Sequence, residues 1–357
     1  MNKEIYIHIG YPRTGTTTLR ECLFPIHSEL IDISIDMMNY FFQGQNYDYI
    51  HNNNIIIASR ENAFKRDIEI HKKNLLQILE NKNDKNKYIY SEDILITSSM
   101  ISINTPKPFV YSVEPNSIAR KLKFLFLDTK IFNKIKIIIT IRRQDELLKS
   151  FYAELYWLFK SIRETNTFDK FFKYALIENK DNFIADSLFY YDIIKNYENL
   201  FGKENIKIFV FEELKFEKEF FLKKLSAFMD IDCKETLDVI GNNKKNLRSS
   251  IDGEYILKIN LIDEFLNFIR KFYKKKSIFN EFPIIYKFRK HIKNFTNFKT
   301  GIIKDLTQEQ KKIIFELYST SNKLLSDSYN LNLEKYGYFN SLFLNDYKTK
   351  LKYWKID

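Results

Sequence analysis

Only two cysteines, Cys22 and Cys233, occur among 357 residues, which excludes a disulfide framework and points to a reducing compartment. No apolar run approaches the roughly 20 residues of a membrane-crossing helix, and no N-terminal stretch resembles a signal peptide. Five histidines, at positions 8, 27, 51, 71 and 291, share no spacing that suggests a metal site or a catalytic dyad. No internal repeat or low-complexity tract stands out. What the chain has in excess is positive charge: 57 Lys and Arg against 46 Asp and Glu give a net +11, which favours anionic ligands. At 45% hydrophobic residues it can bury a large core, and its length allows one large domain or two.

The most informative segment lies near the start. Ile5-Tyr6-Ile7-His8-Ile9 reads as a buried strand and runs into Gly10-Tyr11-Pro12-Arg13-Thr14-Gly15-Thr16-Thr17-Thr18-Leu19, a glycine-punctuated turn opening a helix. This spacing has the form of a P-loop, in which backbone N–H groups at a helix N-terminus surround a phosphate. One more absence matters here. Thr16 stands where the P-loop lysine would be, and Arg13 is the only cation within the loop. Triphosphate chemistry is poorly served, whereas the anion-binding shell is intact. Pro12, Arg13, Thr14, Gly15, Thr16, Thr17 and Thr18 are therefore candidates to hold a phosphate or sulfate. An ordinary turn with threonine caps is the plainer alternative, but Gly, Pro, Arg and three consecutive Thr exceed what a cap requires.

A second element discriminates further. Ile135-Lys136-Ile137-Ile138-Ile139-Thr140-Ile141 is a continuous run, β-branched at every position but Lys136, the pattern of a strand buried on both faces, and ends in Arg142-Arg143. A helix follows, with Asp145 as candidate cap and Leu147, Leu148, Phe151, Leu155 and Leu158 at helical spacing, which leaves Ser150 on its early turns. Arg142 and Ser150 can converge on one more phosphate, beside the first loop if the two strands are neighbours in a parallel sheet.

These residues resemble the sulfotransferases that use 3′-phosphoadenosine 5′-phosphosulfate (PAPS). In that family the 5′-phosphosulfate loop reads like Tyr11 to Thr17, and the 3′-phosphate element has an arginine ending a strand and a serine eight residues later, as Arg142 and Ser150 stand here. The loop's basic residue is more often lysine, arginine being seen in carbohydrate-directed members, and Arg143-Gln144 replaces a frequent Asn-Pro. Softer matches are the segment Tyr190 to Leu214, with Glu212-Glu213-Leu214 after a strand, and the ending Asn322 to Tyr338 with Tyr336-Gly337-Tyr338. The resemblance implies in-line transfer of a sulfuryl group from PAPS to a hydroxyl or amine, with a glycan as acceptor class, Arg13 stabilising the departing oxygen, and no metal. It also implies that Lys244, Lys245 or Arg248, in a basic loop, meets the 3′-phosphate, although a polar interdomain turn fits as well. A P-loop kinase and a non-catalytic glycan- or lipid-binding protein remain the alternatives.

The acceptor must lose a proton to a base. Glu92, just past the short strand Tyr88-Ile89-Tyr90, is the candidate and Asp93 its rival; helix capping by Ser91 and Asp93 is the plainer role. His8 reads as a packed core residue, and Tyr190 as a packed aromatic that some family members place near the cofactor.

The expected fold is α/β, P-loop-like and three-layered, a central parallel sheet with helices on both faces and a helical C-terminal extension. Strands are expected near 4–9, 55–58, 87–91, 135–141 and 206–211, with helices near 61–80, 145–160, 185–200 and 307–326, the last opened by a capping box at Thr307 and Gln310. Residues 1–250 would form the core and 251–357 a helical, basic portion packed on it, or the whole would be one domain. The segment 270–304, rich in Lys, Arg and aromatics, suggests contact with an anionic glycan or a membrane surface rather than nucleic acid, or else a solvated insertion. With the first strand read almost at Met1 no membrane anchor is expected, and the wealth of Asn, Lys, Ile and Phe suggests an AT-rich genome; a bacterial cytoplasmic protein, peripheral at most to the inner membrane, is expected.

Overall fold

A computed structural model describes residues 3–41, 61–80, 82, 85–100, 114–178, 183–242, 255–260 and 297–344. Five parallel strands make the central sheet: β1 (Glu4–Gly10), β2 (Ile31–Asp32), β3 (Lys87–Ser91), β4 (Lys134–Ile141) and β5 (Ile206–Val210), in the order β2-β3-β1-β4-β5. The short β2 is the strand that periodicity missed, since two residues carry no alternation.

Side-chain alternation along β1 sorts its residues into two cores. Ile5, Ile7 and Ile9 join Ile137, Ile139, Ile141, Leu147, Leu148 and Ile193 on one face, while Tyr6 joins Leu19, Leu23, Ile138, Phe209, Leu222 and Leu225 on the other. Helices therefore cover both faces, and β1 and β4 read as continuous apolar runs because neither face meets water. Each such Ile or Leu withdrawn from water contributes about 1.5–3 kcal/mol.

Several expected helices are broken where local geometry fails. The segment 61–80 forms Glu61–Arg66 and Ile68–Glu80, interrupted at Asp67. The segment 145–160 forms α1 (Gln144–Glu154) and a short helix Tyr156–Phe159, separated by Leu155 at φ −99°, ψ 15°. Arg143, not Asp145, is the N-cap of α1; the Asp145 carboxylate instead accepts from Arg143 Nε at 2.6 Å. The strand expected at 55–58 lies outside the described residues.

The C-terminal portion is not wholly helical. β6 (Tyr255–Asn260) pairs antiparallel with β7 (Asn297–Ile303), because the strand-forming residues of this stretch find each other across the intervening segment. Residues 261–296, which hold most of the basic segment, lie outside the described residues. The helix Gln308–Tyr329 opens with the expected capping box: Gln310 N donates to Thr307 Oγ1 at 3.2 Å and Thr307 N to Gln310 Oε1 at 3.0 Å. Its Ile314, Tyr318 and Leu325 sit in the same apolar core as the sheet. Among the described residues no helix is long and apolar enough to cross a membrane.

Candidate active site

Parallel register brings the two sequence motifs together. Gly10 pairs with Thr140 across β1 and β4, so the loop after β1 and the arginines after β4 leave the sheet side by side. Tyr11 N still donates to Thr140 O at 3.1 Å before the chains part.

Packing fixes the loop's path. Thr14 is fully buried, and its hydroxyl donates to Tyr11 O at 2.6 Å and meets Thr140 Oγ1 at 2.8 Å. That hydroxyl belongs to the loop's own scaffold, and what Thr14 offers a ligand is its backbone N–H. Pro12 has no N–H and stiffens the turn. A Cβ on Gly10 would stand 1.8 Å from Thr16 Cγ2, and Gly15 has φ 81° with Leu214 Cδ2 2.6 Å from where a Cβ would lie. Arg13 also has a positive φ, 67°. Two left-handed residues around Thr14 turn the chain into the helix Thr16–Thr18, whose first N–H groups lack intrahelical partners. Thr16 is buried, Thr17 and Thr18 half-buried.

Arg142 closes the loop from the β4 side. Its Nη1 donates to Arg13 O at 2.9 Å, and its guanidinium lies 4.7 Å from the Phe211 ring. In return Arg13 Nε donates to Ser150 Oγ at 3.1 Å, while its Nη1 stands 3.7 Å from Glu154 Oε2. Arg13, Arg142 and Ser150 thus meet in space.

The third element arrives on β3. His8 pairs with Ser91, and Glu92 N donates to His8 O at 3.2 Å, which sets Glu92 at the same end of the sheet as the loop. Arg20, one helical turn past Thr16, faces both acids: its Nη1 is 3.2 Å from Asp93 Oδ1 and 3.7 Å from Glu92 Oε1. Asp93 accepts the hydrogen bond, so its carboxylate is committed to Arg20. His8 is buried, with Nδ1 2.7 Å from Ser91 Oγ, and burial pushes its imidazole down to about 3; it is a neutral core residue. No group of three His, Cys, Asp or Glu able to hold a metal occurs among the described residues.

Residues distant in sequence brace this end. Tyr190 OH donates to Arg142 O at 2.6 Å, and its ring meets Tyr11 edge-on at 4.8 Å, so Tyr190 packs rather than lines the site. Glu212 accepts from Arg143 N at 3.1 Å and from Tyr338 OH at 2.7 Å; burial raises its carboxyl against those bonds. Gln144 and Asn322 exchange hydrogen bonds of 3.0 Å, and Asn322 Nδ2 donates to Tyr338 O at 2.7 Å. The segment Asn322 to Tyr338 is therefore built against the segment that carries Arg142.

Sequence reasoning missed Arg20, Glu146, Lys149 and Tyr255. Arg20 and Glu146 were accessible through i,i+4 spacing from Thr16 and Arg142; Tyr255 had no local signal. Lys245 and Arg248 lie outside the described residues.

The sulfotransferase domain family matches residues 4–271, three quarters of the chain, including β1 to β6 and leaving β7 and the helix Gln308–Tyr329 outside the match. The chain belongs to that family. No curated protein matches this sulfotransferase by sequence. Solved structures similar to it include a sulfotransferase from Alicyclobacillus acidocaldarius, 15% identical, covering 75% of this chain and 92% of that one at a TM-score of 0.40. The sulfotransferase domain from the curacin biosynthetic pathway is 14% identical, with coverages of 71% and 82% and a TM-score of 0.41. A mouse sulfotransferase in complex with PAP is 16% identical, with coverages of 67% and 63% and a TM-score of 0.35.

Proposed function

We propose that this sulfotransferase takes its sulfuryl group from PAPS and passes it to a hydroxyl of a carbohydrate acceptor. The observation that carries the donor assignment is the mutual contact of the two motifs: Arg142 on the Arg13 carbonyl and Arg13 on Ser150. A ligand with anionic groups at two ends of one nucleoside suits two adjoining cationic pockets.

In this reading the N–H groups of Thr14 to Thr17 and the Arg13 guanidinium hold the 5′-phosphosulfate, and Arg142 with Ser150 holds the 3′-phosphate. As the acceptor oxygen attacks sulfur in line, negative charge grows on the bridging oxygen of the departing nucleotide, and Arg13 stabilises it. Glu92 receives the acceptor proton, and Arg20 keeps Asp93 engaged so that Glu92 is the base. A sulfuryl group carries less charge than a terminal phosphoryl group, so the step needs no metal ion. The arginine at position 13 and the Tyr336-Gly337-Tyr338 ending support the carbohydrate acceptor.

Incubation with labelled PAPS and a panel of hydroxyl-bearing acceptors in the presence of EDTA tests this. Label transferred to a carbohydrate hydroxyl supports the reading. Transfer confined to non-carbohydrate acceptors overturns the acceptor class, and Mg²⁺-dependent phosphorylation from ATP in place of sulfation overturns the reaction.

A further inference from the structure

Every outward donor of the Arg142 Nη2 group is already engaged within the chain. Glu146, in the first turn of α1, places Oε2 3.4 Å from Nη2, and the Tyr255 hydroxyl accepts from the same nitrogen. Tyr255 in turn donates to Glu146 Oε2 at 2.7 Å, closing a triangle of guanidinium, carboxylate and phenol. Nη1 is taken by Arg13 O, and Nε is buried with no partner among the described residues. Glu146 lies four residues after Arg142, which precedes the helix, and four before Ser150 on the helix itself, so its carboxylate stands on the Arg142 guanidinium on the side of the chain that carries Ser150.

We propose that Glu146 and Tyr255 form an internal clasp that occupies the guanidinium edge of Arg142 in the free enzyme and gives way to the donor's 3′-phosphate. This rests on the assignment of Arg142 to that phosphate. The exchange has a physical basis on both sides. A carboxylate and a phosphate cannot share one guanidinium edge without like-charge repulsion. Glu146 also has cations to retreat to: Lys149 Nζ is 2.6 Å from Oε1 and Arg143 Nη2 is 3.8 Å from it. Lys149 is itself buried and held by Asp305, 3.2 Å away, just beyond β7, so the anchor of the clasp stays in place when the edge is vacated. Burial alone would raise the Glu146 carboxyl, but Lys149, Tyr255 and Arg142 outweigh it and hold it below its ordinary value, so it is an anion competing for the same charge. Because Tyr255 starts β6, the clasp also couples occupancy of the nucleotide site to the β6–β7 ribbon.

Calorimetric titration with adenosine 3′,5′-bisphosphate (PAP), and with adenosine 5′-phosphate as reference, tests the clasp on wild type, Glu146→Gln and Tyr255→Phe. Both variants are expected to bind PAP more tightly, Glu146→Gln by about tenfold or more, the factor of one charge-assisted hydrogen bond, with the adenosine 5′-phosphate affinity unchanged. Unchanged or weaker PAP binding by the folded variants, beside a wild type that binds, overturns the clasp alone. Failure of the wild type to bind PAP overturns the donor assignment and the clasp with it. Tyr255→Phe removes one oxygen and keeps the ring, so the test survives if Glu146→Gln does not fold.

Discussion

Arg13 Nε donates to Ser150 Oγ at 3.1 Å across 137 positions of sequence, joining the loop after β1 to the helix after β4. This bond ties the group proposed to meet the transferred sulfuryl to the one proposed to meet the nucleotide's other end. Ser150→Ala is expected to release the Arg13 side chain as well as to weaken the 3′-phosphate pocket. Steady-state kinetics should show KM for PAPS raised and kcat lowered together, by about 10- to 150-fold in kcat/KM for one lost hydrogen bond to a charged group. A change in KM alone would show that Arg13 is positioned without Ser150.

Thr14 and Gly10 are predicted to behave differently from the ligand-facing residues. Thr14→Val leaves Tyr11 O and Thr140 Oγ1 without their buried partner, a loss of about 1–3 kcal/mol, seen as a lower Tm with PAP affinity retained in the folded protein. Gly10→Ala drives a methyl into Thr16 Cγ2 and Thr140 Oγ1, which must displace the loop itself, and PAP binding is expected to disappear. Thermal unfolding and PAP titration together separate the two outcomes.

The proposed base is separable from its neighbour. Glu92→Gln is expected to lower kcat by roughly 10²–10⁴-fold with little change in KM for PAPS, the range general-base catalysis supplies. Asp93→Asn releases Arg20 without removing the base and should cost far less. Equal losses from the two substitutions would contradict the assignment.

His8 predicts an acid limb of stability. Its folded-state imidazole titrates at about 3 and its unfolded one near 6.5, so below 6.5 the unfolded chain binds a proton that the folded chain does not. Stability should fall as pH drops from 6.5 towards 3, by about 1.4 kcal/mol per pH unit from this group. Denaturant unfolding of His8→Gln between pH 4.5 and 6.5 should show that slope reduced; an identical slope would mean that His8 is protonated in the folded state.

Much of this site was legible because its parts are local in sequence. The strand, the glycine turn and the threonine run lie within fifteen residues, and the β-branched run ending in Arg142 announces a strand buried on both faces. Their adjacency followed from the way parallel sheets open at a switch point, where the chain turns left from one strand and right from the next. The capping box at Thr307 was legible for the same reason, being contained in four residues. What escaped were relations that only tertiary packing sets. Tyr255 stands 113 residues from the arginine it touches, on a strand whose partner is far along the chain, and no periodicity marks that pairing. The breaks at Asp67 and Leu155 interrupt apolar stripes that run on without a pause in the sequence. The engagement of the Thr14 hydroxyl by Tyr11 O and by Thr140 Oγ1, 126 positions away on β4, likewise has no local mark in the sequence.

The most direct test of the account is thermal unfolding of the wild type and Arg142→Ala with saturating PAP and with adenosine 5′-phosphate. At a hundredfold excess over Kd, PAP should stabilise the wild type by about 2.7 kcal/mol, a rise of several degrees in Tm. Arg142→Ala should lose most of that rise for PAP while keeping its response to adenosine 5′-phosphate. A wild type whose Tm does not move with PAP, or an Arg142→Ala protein stabilised as much as the wild type, would contradict the assignment of Arg142 to the donor nucleotide.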